Sequence, residues 1–504
     1  MDLTRFSLRE YVELMDKLGQ LAAPAPDGLD LERTVELVSY SSKEVVPGTL
    51  FICKGAHFKV DYLSDAAKRG AFAYASENTY SGIDLPCILV KDMRQVLAPL
   101  AVKYYNAPSQ KLKVIGITGT KGKSSTAYYL KYILDELLVP QGKSCGVISS
   151  IDTWDGVERF ESHLTTPEPL ELQKHFAHAV ASGMEYMVME VSSQALKYHR
   201  TLGTRFAVSA FLNIGADHIS PIEHPDFEDY FHSKQKIFAQ ADFSCVNLDC
   251  DHGDEALAAA QSACGTVHTF SRHNPAANVY GHDVRKIGDD ILFQVDAAQL
   301  SGQYRLTMPG LFNVDNALAA IAVCQGLNIP QKAVLDGLSK ARVPGRMEVY
   351  SNASGDVAAI VDYAHNRMSF ETLFRSVQQE YPGRRIVTVF GCPGKKAFDR
   401  RRDLGEVSGQ YSDLVVLTEE DSGEEDTVSI CKEIATHVAC TCEIQPNRGE
   451  AIRQAVLSCH QPSVILITGK GAETRQKRGL EYIDTPSDVE YAQAFLRELD
   501  ARRD

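Results

Sequence analysis

A glycine-rich run at residues 116–125, Gly-Ile-Thr-Gly-Thr-Lys-Gly-Lys-Ser-Ser, constrains this chain more than any other feature. The apolar residues 112–118 lead into it and predict a β-strand, and residues 124–138 follow with apolar side chains at helical spacing. A strand, a glycine-rich turn and the start of a helix form a cradle for phosphate, because backbone N–H groups and the helix N-terminus face the anion. The run therefore predicts a nucleoside triphosphate site in a parallel α/β sheet.

Individual residues of this loop receive roles from their chemistry. Lys123 is expected to reach the outer phosphates, and the Ser124 hydroxyl is expected to ligate Mg²⁺. Position 117, where the first loop glycine usually stands, is Ile, so we expect Gly116 and Gly119 to make the turn. A loop rich in glycine and lysine can also be a solvated turn, but the flanking strand and helix favour the phosphate site. The residues expected at the nucleotide are Gly119, Thr120, Lys121, Gly122, Lys123, Ser124 and Ser125.

Composition limits the partners and the compartment. The 504 residues suffice for about three domains, and a formal net charge of −14 argues against nucleic acid as a partner, because such binders need a basic face. No apolar run reaches the ~18 residues of a membrane span, and the first residues lack the apolar core of a signal peptide. The twelve cysteines are scattered, and the pair Cys440 and Cys442 has no second pair at zinc-ligand spacing. We expect a cytoplasmic protein with reduced thiols.

Three α/β units follow one another along the chain. Residues 1–110 contain short strands and predict a smaller N-terminal α/β domain, which ends in a linker at 106–109. Residues 111–343 alternate apolar strands with helices, which predicts a parallel sheet around the phosphate loop. Residues 344–504 repeat this alternation and predict a Rossmann-like, doubly wound domain. The predicted strands are 49–53, 71–75, 87–90, 186–191, 207–214, 357–363, 386–390, 414–417 and 464–467.

Three residues beyond the phosphate loop carry chemistry. Glu190 ends a predicted strand, His218 follows the next strand, and Lys234 lies in a helix after it. Taken singly, each has a simpler explanation as a helix cap, a structural histidine or a solvated lysine. Ser124, Glu190 and His218 all follow strands of one predicted sheet, however, and should meet at its carboxyl edge. A hydroxyl, a carboxylate and an imidazole beside a triphosphate, completed by water, can form a Mg²⁺ shell.

In this combination the chain resembles the Mur ligases, the ATP-dependent amino-acid-adding enzymes of peptidoglycan synthesis, and within that family the MurE-type third adders. The resemblance runs from about residue 41 to the C-terminus and implies a UDP-sugar domain, an ATPase domain and an amino-acid domain, in that order. It rests on seven ordered motifs: Thr-Gly-Thr-Lys-Gly-Lys-Ser at 118–124, Thr-Thr-Pro at 165–167, Met-Glu-Val-Ser-Ser at 189–193, Asn-Ile-Gly-Ala-Asp-His at 213–218, Pro-Gly-Arg-Met-Glu at 344–348, Asp-Tyr-Ala-His at 362–365 and Gly-Lys-Gly-Ala-Glu at 469–473.

The resemblance implies an ATP-dependent ligase that adds a diamino acid to the D-Glu of UDP-N-acetylmuramoyl-L-Ala-D-Glu through an acyl phosphate. Lys123, Glu190, His218 and Lys234 match its catalytic residues. Lys234 resembles the family's carbamylated lysine, N6-carboxylysine, in which CO₂ has turned a cationic amine into an anionic carboxylate that suits Mg²⁺. The implied metal ligands are Ser124, Glu190, His218 and Lys234.

Further positions match binding residues of the family. Asn316, Arg346, Asp362 and His365 resemble contacts to ATP that reach across domains. Relatives usually continue the last of these motifs with Thr-Pro, where this chain has Asn366-Arg367. The positions that match the UDP-sugar contacts are Ser42, Ala56, His57, Phe58, Thr165, Thr166, Ser192 and Arg200.

The acceptor amino acid is predicted from a loop at the end of a strand. Family members that add diaminopimelate carry Asp-Asn-Pro-Arg there, whereas this chain carries Glu-Asp-Ser-Gly at 420–423. An acidic loop without a cation suits an ε-ammonium group better than a second carboxylate, so L-lysine is the leading acceptor. L-Ornithine satisfies the same argument, and meso-diaminopimelate is the alternative if the loop is merely solvated acid. The residues expected to contact the amino acid are Arg401, Glu420, Asp421, Ser422, Gly423, Gly469 and Glu473.

Two other functions compete with this prediction. Folylpolyglutamate synthases share the ligase scaffold, but they normally lack so full an N-terminal uridine domain. A nucleotide-gated binding module without catalysis would have lost some of Lys123, Glu190, His218 and Lys234, and all four are present. We therefore expect a monomeric enzyme that acts on small molecules.

Overall fold

The computed structural model describes residues 3–55, 58–162, 164–215, 217, 219–220, 223–288 and 290–503. Its strands form sheets of four, eleven and six strands and one two-stranded sheet. This mixed α/β architecture confirms the predicted fold class. Ala56, His57 and His218, which the sequence analysis assigns to the UDP-sugar and metal sites, lie outside the described residues.

The N-terminal part contains α1 (Leu8–Lys17), β1 (Leu37–Ser39), β2 (Thr49–Ile52), α2 (Val60–Arg69), β3 (Ala71–Ser76), β4 (Cys87–Leu89) and α3 (Met93–Tyr104). Its four strands form a parallel sheet in the order β1-β2-β3-β4. Strands β2 and β3 are buried along their whole length, as expected for continuous apolar runs in a parallel sheet. Strand β1 (Leu-Val-Ser) escaped prediction because only two of its three residues are apolar, too few to form an apolar run.

The central part contains β5 (Lys113–Thr118), α4 (Lys123–Leu138), β6 (Gly146–Ile148), β7 (Asp152–Trp154), β8 (Arg159–Glu161), α5 (Pro169–Ala181), β9 (Tyr186–Glu190), α6 (Ser193–Lys197), β10 (Phe206–Phe211), α7 (Phe227–Gln235), β11 (Ala241–Asn247), α8 (Gly253–Ala263), β12 (Val267–Ser271), β13 (Val279–Ile287), β14 (Asp290–Ala297), β15 (Gly302–Leu306), α9 (Asn313–Gly326) and α10 (Gln331–Lys340). The sheet runs in the order β15-β14-β13-β12-β11-β10-β5-β9-β6-β7-β8. The seven neighbouring strands β13-β12-β11-β10-β5-β9-β6 all pair in parallel, as predicted for this sheet. Strands β14, β15, β7 and β8 add antiparallel edges that the sequence analysis missed.

The position of β5 decides where the site forms. Strand β5 pairs with β9 on one side and β10 on the other, and Ile117 lies in register with Glu190. Because the carboxyl ends of neighbouring parallel strands meet at one edge, the glycine-rich loop, Glu190 and the segment after β10 converge there. Helices α4, α9 and α10 pack together on the sheet and bury apolar side chains such as Leu130 and Ile133.

The glycine-rich loop differs from the prediction in one detail. Gly116 lies inside β5, where a Cβ atom would come within 2.8 Å of the Phe206 ring. The expectation that Gly116 makes the turn is therefore wrong, and the close approach of Phe206 explains the glycine instead. Gly119 (φ 155°) and Gly122 (φ 83°) carry the positive φ angles of the turn.

The C-terminal part contains β16 (Glu348–Ser351), β17 (Val357–Asp362), α11 (Arg367–Glu380), β18 (Arg385–Phe390), α12 (Asp399–Tyr411), β19 (Leu414–Leu417), α13 (Thr427–Ala435), β20 (Thr441–Ile444), α14 (Arg448–Leu457), β21 (Ser463–Thr468), β22 (Arg475–Arg478), β23 (Glu481–Asp484) and α15 (Asp488–Arg503). Its main sheet has the order β16-β17-β21-β18-β19-β20, and every pairing except β16 with β17 is parallel. The four predicted strands are β17, β18, β19 and β21. The edge strands β16 and β20 were missed because they are partly exposed and lack continuous apolar runs.

Two expectations from composition can be compared with the structure. All twelve cysteines are free thiols in the structure, including the close pair Cys440 and Cys442. Within the described residues, no helix combines the length and the apolar character needed to cross a membrane.

Candidate functional site

A cavity of about 1320 Å³ lies between the central and C-terminal sheets. Its wall includes residues 120–125 of the glycine-rich loop, residues 362–369 after β17, and residues 469–470 after β21. We call this cavity the central cleft. Strands from two different sheets end at it, so residues that are far apart in sequence meet there.

The glycine-rich loop is held by two asparagines. The backbone amide of Thr120 donates to the carbonyl of Asn213 (3.1 Å), and the amide of Lys121 donates to Asn213 Oδ1 (2.9 Å). Asn316 packs so closely on Gly122 that a Cβ there would lie 2.1 Å from Asn316 Oδ1. Asn316 thus contacts the loop, while the anchoring role of Asn213 was not assigned from sequence.

Three lysines surround this loop. Lys123 Nζ donates to the carbonyls of Gly119 (2.9 Å) and Thr120 (3.2 Å), and Lys234 Nζ donates to the same Gly119 carbonyl (3.0 Å). The explanation of Lys234 as a solvated side chain is wrong, because it is only 2% exposed. Burial, reinforced by the charge of Lys123, lowers the pKa of Lys234 well below its ordinary value, and burial lowers the pKa of Lys121 to about 8. Three basic side chains are therefore crowded around the loop, and burial disfavours their charged forms.

A chain of hydrogen bonds links two of the metal ligands proposed from sequence, Ser124 and Glu190. Ser150 Oγ lies 3.1 Å from Ser124 Oγ and donates to Glu190 Oε1 at 3.2 Å, and the Ser150 amide donates to the same oxygen at 2.8 Å. From the C-terminal part, Arg346 Nη2 donates to Ser124 Oγ at 3.4 Å. The structure thus brings Ser124, Glu190 and Arg346 together. Ser150 was missed because it follows β6 in a loop without a motif.

Asp217 connects the two sides of the central cleft. Its carboxylate accepts a hydrogen bond from Asn366 Nδ2 (2.5 Å) and lies 3.6 Å from both Lys121 Nζ and Arg400 Nη2. Asn366 also caps α11, because its side chain accepts from the amide of Ser369. The departure from Thr-Pro at this position therefore supplies a contact between the C-terminal and central parts.

Asp362 and His365 lie at the carboxyl end of β17. The Asp362 carboxylate accepts hydrogen bonds from the amides of Met347 (2.9 Å) and Ala364 (2.8 Å). His365 Nδ1 donates to the carbonyl of Tyr363 at 2.7 Å, which leaves Nε2 as the acceptor. Burial lowers the pKa of His365 well below its ordinary value, so the ring is neutral at pH 7. Both side chains line the central cleft.

Part of the predicted UDP-sugar set forms one hydrogen-bonded group. Thr166 Oγ1 donates to the carbonyl of Glu190 (3.0 Å) and accepts from the amide of Ser192 (3.0 Å), while Arg200 Nη1 donates to the carbonyl of Thr166 (3.2 Å). Arg200 Nη2 also lies 2.8 Å from Glu168 Oε1. This group therefore meets the chain through Ser150 at Glu190, one through its backbone carbonyl and the other through its carboxylate.

The remaining positions of that set are separated from this group. Thr165 lines the central cleft, whereas Ser42 begins a 3₁₀ turn and Phe58 packs its ring 5.4 Å from that of Tyr80, both in the N-terminal part. An ion pair between Lys54 and Glu168 joins the N-terminal part to the central one.

The loop after β19 points two acidic side chains into the central cleft. Glu420 is 7% exposed, and among the described residues its Oε2 has no hydrogen-bond partner. Burial raises the pKa of Glu420 to about 7. Asp421 Oδ1 accepts hydrogen bonds from Lys470 Nζ (3.0 Å) and from the amide of Lys477 (2.8 Å). Gly469 gives Glu420 its space, because a Cβ at Gly469 would lie 2.1 Å from Glu420 Oε2.

Cations from distant parts of the chain neutralise most of the other acids in this loop. Arg478 pairs with Glu419 (2.7 Å), and Arg401 pairs with Glu425 (2.8 Å) and Glu433 (2.6 Å). From sequence the loop is expected to lack a cation, because Arg401 and Arg478 lie far away along the chain, on α12 and β22. Glu420 is therefore the acid of this loop that the fold leaves free for a ligand.

The predicted amino-acid contacts divide into two groups. Those in the wall of the central cleft are Glu420, Asp421, Gly469 and Glu473. Among the described residues, that wall includes Arg400 but not Arg401, whose guanidinium is 2% exposed and held by its two carboxylates. Ser422 and Gly423 also lie outside the wall, and Gly423 (φ 57°) instead pairs through its backbone with β22.

Comparisons with known proteins agree along the chain. Residues 117–324 match the family model described as the Mur ligase middle domain, and residues 345–471 match the one described as the Mur ligase, glutamate ligase domain. Over 98% of its length the chain is 38% identical to the UDP-N-acetylmuramoyl-L-alanyl-D-glutamate--L-lysine ligase of Enterococcus faecalis, of which 99% is covered.

Solved structures share the fold at lower sequence identity. A UDP-N-acetylmuramoyl-L-alanyl-D-glutamate--2,6-diaminopimelate ligase is similar with a TM-score of 0.67 and 22% identity, covering 99% of this chain and 100% of that one. The MurF ligase from Thermotoga maritima in complex with ADP is similar with a TM-score of 0.62 and 18% identity, covering 93% and 99%. Both likenesses concern the fold alone.

Ser150→Ala tests the hydrogen-bonded chain between Ser124 and Glu190. The substitution removes the bridging hydroxyl but keeps the amide that donates to Glu190. Since one such hydrogen bond contributes about 1 kcal/mol, kcat/KM for ATP-dependent turnover should fall about fivefold. Steady-state phosphate release measures the change, and Ser182→Ala, at an exposed helix end, is the control. Equal kcat/KM in both variants would show that the hydroxyl does not orient the two groups.

Proposed function

Since the chain belongs to the Mur ligase family of ATP-dependent ligases, we propose that it joins L-lysine to the D-Glu of UDP-N-acetylmuramoyl-L-Ala-D-Glu in peptidoglycan synthesis. The observation that carries the choice of lysine is the buried carboxylate of Glu420 in the central cleft, with an oxygen that lacks a partner among the described residues. The Enterococcus faecalis relative, which is named for L-lysine, supports it over nearly the whole chain. The same full-length match gives the folylpolyglutamate synthase alternative no support.

We propose a division of labour among three domains. Residues 1–110 bind the UDP-sugar, residues 111–343 bind ATP, and residues 344–504 bind the amino acid. The extents of the sheets support these boundaries, since the four-stranded sheet ends before residue 110 and the six-stranded one begins at Glu348. On the family resemblance, the enzyme acts as a cytoplasmic monomer.

The triphosphate is proposed to bind along residues 119–125. Backbone N–H groups at the start of α4 face the phosphates, and Lys123 exchanges its two carbonyl partners for phosphate oxygens. Asn316 holds the loop in shape, and Arg346 adds a guanidinium from the C-terminal part. Lys123 and Arg346 together stabilise the charge on the transferring phosphoryl group.

The donor set beside this loop fits Mg²⁺. Ser124 and Glu190 offer a hydroxyl and a buried carboxylate within one hydrogen-bonded chain, and oxygen ligands are what this ion prefers. Bound there, Mg²⁺ would neutralise charge on the phosphates. His218 keeps its place in the proposed ligand set from the family motif.

Lys234 is proposed to act as a carbamate. Its amine nitrogen attacks the carbon of CO₂ and loses one proton, and the amine becomes an anionic carboxylate. Two observations support this: Lys234 is buried at the carbonyl of Gly119, and burial together with the charges of Lys123 and Lys121 lowers its pKa, which favours the neutral amine that attacks CO₂. A carbamate offers a divalent ion an anionic pair of oxygens, which an amine does not.

The protein then contributes to the reaction chiefly by positioning the two substrates and ATP. The D-Glu carboxylate attacks the γ-phosphorus, ADP leaves, and an acyl phosphate forms. The α-amine of lysine attacks the acyl carbon, and phosphate departs. Thr166, Ser192 and Arg200 are proposed to hold the muramoyl dipeptide, and closure of the central cleft excludes water that would hydrolyse the acyl phosphate.

The acceptor side of the central cleft favours a terminal ammonium group. Glu420, Asp421 and Glu473 supply three carboxylates, and the single buried ammonium of Lys470 pairs with the last two. Glu420 is left to receive the ε-ammonium group of lysine. A second substrate carboxylate would instead face these acids unpaired, at a cost of several kcal/mol.

An acceptor panel tests the function. Phosphate release is measured with ATP, the UDP-muramoyl dipeptide and, in turn, L-lysine, L-ornithine, meso-diaminopimelate and L-glutamate. We expect kcat/KM for L-lysine to exceed that for meso-diaminopimelate by about 10³ or more, since each ~1.4 kcal/mol corresponds to a factor of ten. A preference for meso-diaminopimelate would refute the assignment of the acidic loop, and turnover with none of the four would refute the ligase assignment.

The role of Glu420 predicts a pH dependence. Burial raises the pKa of Glu420 to about 7. The positive charges of Arg448, Arg400 and Lys470 oppose this shift, and the negative charge of Asp421 adds to it. The carboxylate is therefore ionised above pH 7 and protonated below it, so KM for L-lysine should fall as pH rises from about 6 to 8.

Glu420→Gln isolates this effect, because the α-amine titrates equally in both proteins. The ratio of KM in Glu420→Gln to KM in the wild type should rise about tenfold between pH 6 and pH 8. Glu424→Gln, which removes a half-exposed carboxylate of the same loop that pairs with Lys395, is the control and should leave KM unchanged. A ratio that stays constant with pH would show that Glu420 does not bind the amino acid.

Lys234→Ala tests the carbamate. The variant should lose at least ~10²-fold in kcat, and added formate or acetate should restore part of it, because an anionic oxygen pair is what is missing. Lys236→Ala, at an exposed position two residues later, is the matched control. Full activity of Lys234→Ala in CO₂-depleted buffer would show that Lys234 takes no part in catalysis.

A further inference from the structure

Four potential metal ligands lie together at the turn between β7 and β8. Asp155 and Glu158 belong to this turn, and His175 and His178 project from α5, with their nearest ligand atoms all within 4.8 Å of one another. Asp155 is fully buried, and His175 and His178 are 4% and 7% exposed. Among the described residues that line the central cleft, none of the four is present. The cluster therefore lies outside the site described above.

Asp155 is the centre of this cluster. Its Oδ1 accepts hydrogen bonds from the amides of Val157 (2.9 Å) and Glu158 (2.7 Å), which fixes the carboxylate in one orientation. Its Oδ2 accepts from Nδ1 of both His175 (2.6 Å) and His178 (2.8 Å). Burial opposes ionisation, but these hydrogen bonds outweigh it and hold the pKa of Asp155 below its ordinary value. A carboxylate anion is thus buried between two imidazoles.

We propose that Asp155, Glu158, His175 and His178 form a structural site for a divalent transition metal, with Zn²⁺ as the ion that fits best. Two imidazole nitrogens and two carboxylate oxygens are a common zinc donor set, whereas Mg²⁺ and Ca²⁺ prefer oxygen alone. The two histidines are three residues apart on α5, so they share one helix face. A cation here would also compensate the buried charge of Asp155.

Binding requires small and defined changes. Each imidazole moves its proton from Nδ1 to Nε2 and binds the ion through Nδ1, which frees Asp155 Oδ2 to become the third ligand. The two short His–Asp contacts open by roughly 0.6 Å, since ligands of a tetrahedral ion with bonds of about 2.0 Å lie about 3.3 Å apart. Glu158, whose side chain is 40% exposed and pairs with Lys174, swings in as the fourth.

The site would clamp a hairpin that reaches the amino-acid side of the enzyme. Strands β7 and β8 line a second cavity of about 310 Å³ together with Tyr363, Lys470 and Glu473. Glu161 at the end of β8 accepts a hydrogen bond from Thr474 Oγ1 at 3.4 Å. A metal at the turn between these strands would fix the hairpin to α5. It would raise the stability of the protein and would take no part in the ligation reaction.

Zinc binding to the full chain tests the site. Protein dialysed against a chelator is titrated with ZnCl₂ by calorimetry, and bound metal is counted by elemental analysis. We compare the wild type with the double variant His175→Gln/His178→Gln, in which the amides can still donate to Asp155. The double variant should bind one equivalent less, and zinc should raise the Tm of the wild type by several degrees more than that of the variant.

Controls separate this site from other zinc binders in the chain. His252→Gln removes an exposed histidine that also pairs with a glutamate, and it should leave the stoichiometry unchanged. Co²⁺ bound at the site should give the visible bands of a tetrahedral ion without a thiolate charge-transfer band, which excludes the cysteines.

Glu158→Gln is the test variant if the double variant does not fold, because Glu158 is half-exposed and its replacement leaves the His–Asp contacts intact. It should weaken zinc binding at least about tenfold. Equal stoichiometry and affinity in the wild type and these variants would overturn the proposal and leave the cluster as a hydrogen-bonded Asp–His pair.

Discussion

Three lysine side chains crowded around one glycine-rich loop, where burial disfavours their charge, are the constraint on which the rest of the site depends. Lys123 and Lys234 share the carbonyl of Gly119, and Lys121 lies beside them. Buried ammonium groups are stable only near negative charge. Triphosphate, the carboxylate of Glu190 and a carbamate on Lys234 would supply it together, so binding of the substrate and assembly of the catalytic site become one event.

The second constraint is that neither sheet completes the site alone. Asp217 from the central part contacts Asn366 and Arg400 from the C-terminal part, and Arg346 reaches back to Ser124. Charges that meet across a cleft hold its two sides together, and in the proposed function they would bring ATP on one sheet and an amino acid on the other into line. The exclusion of water from an acyl phosphate follows from the same contacts.

Selectivity depends on which charges the fold leaves unpaired. The loop after β19 is rich in acidic residues, yet Arg478 pairs with Glu419 and Arg401 pairs with Glu425. Glu420 is left in the central cleft with a pKa of about 7, so one carboxylate would decide between an ammonium group and a second carboxylate on the substrate. The hairpin held by the Asp155 cluster borders the same region, and its rigidity would support that choice.

The sequence by itself determined the glycine-rich turn between β5 and α4, the order of three α/β units, the most apolar strands and the family, because glycine spacing, apolar runs and ordered motifs are local signals. Contacts between residues that are distant in sequence were decided by tertiary structure: the burial of Arg401, the bridge through Ser150 and the meeting of Asp155 with His175. Gly116 is a further example: the position requires glycine because the ring of Phe206, about ninety residues away in sequence, packs against it. Which charges pair depends on which side chains the sheets bring within a few ångströms of one another. A local sequence pattern carries no information about that distance.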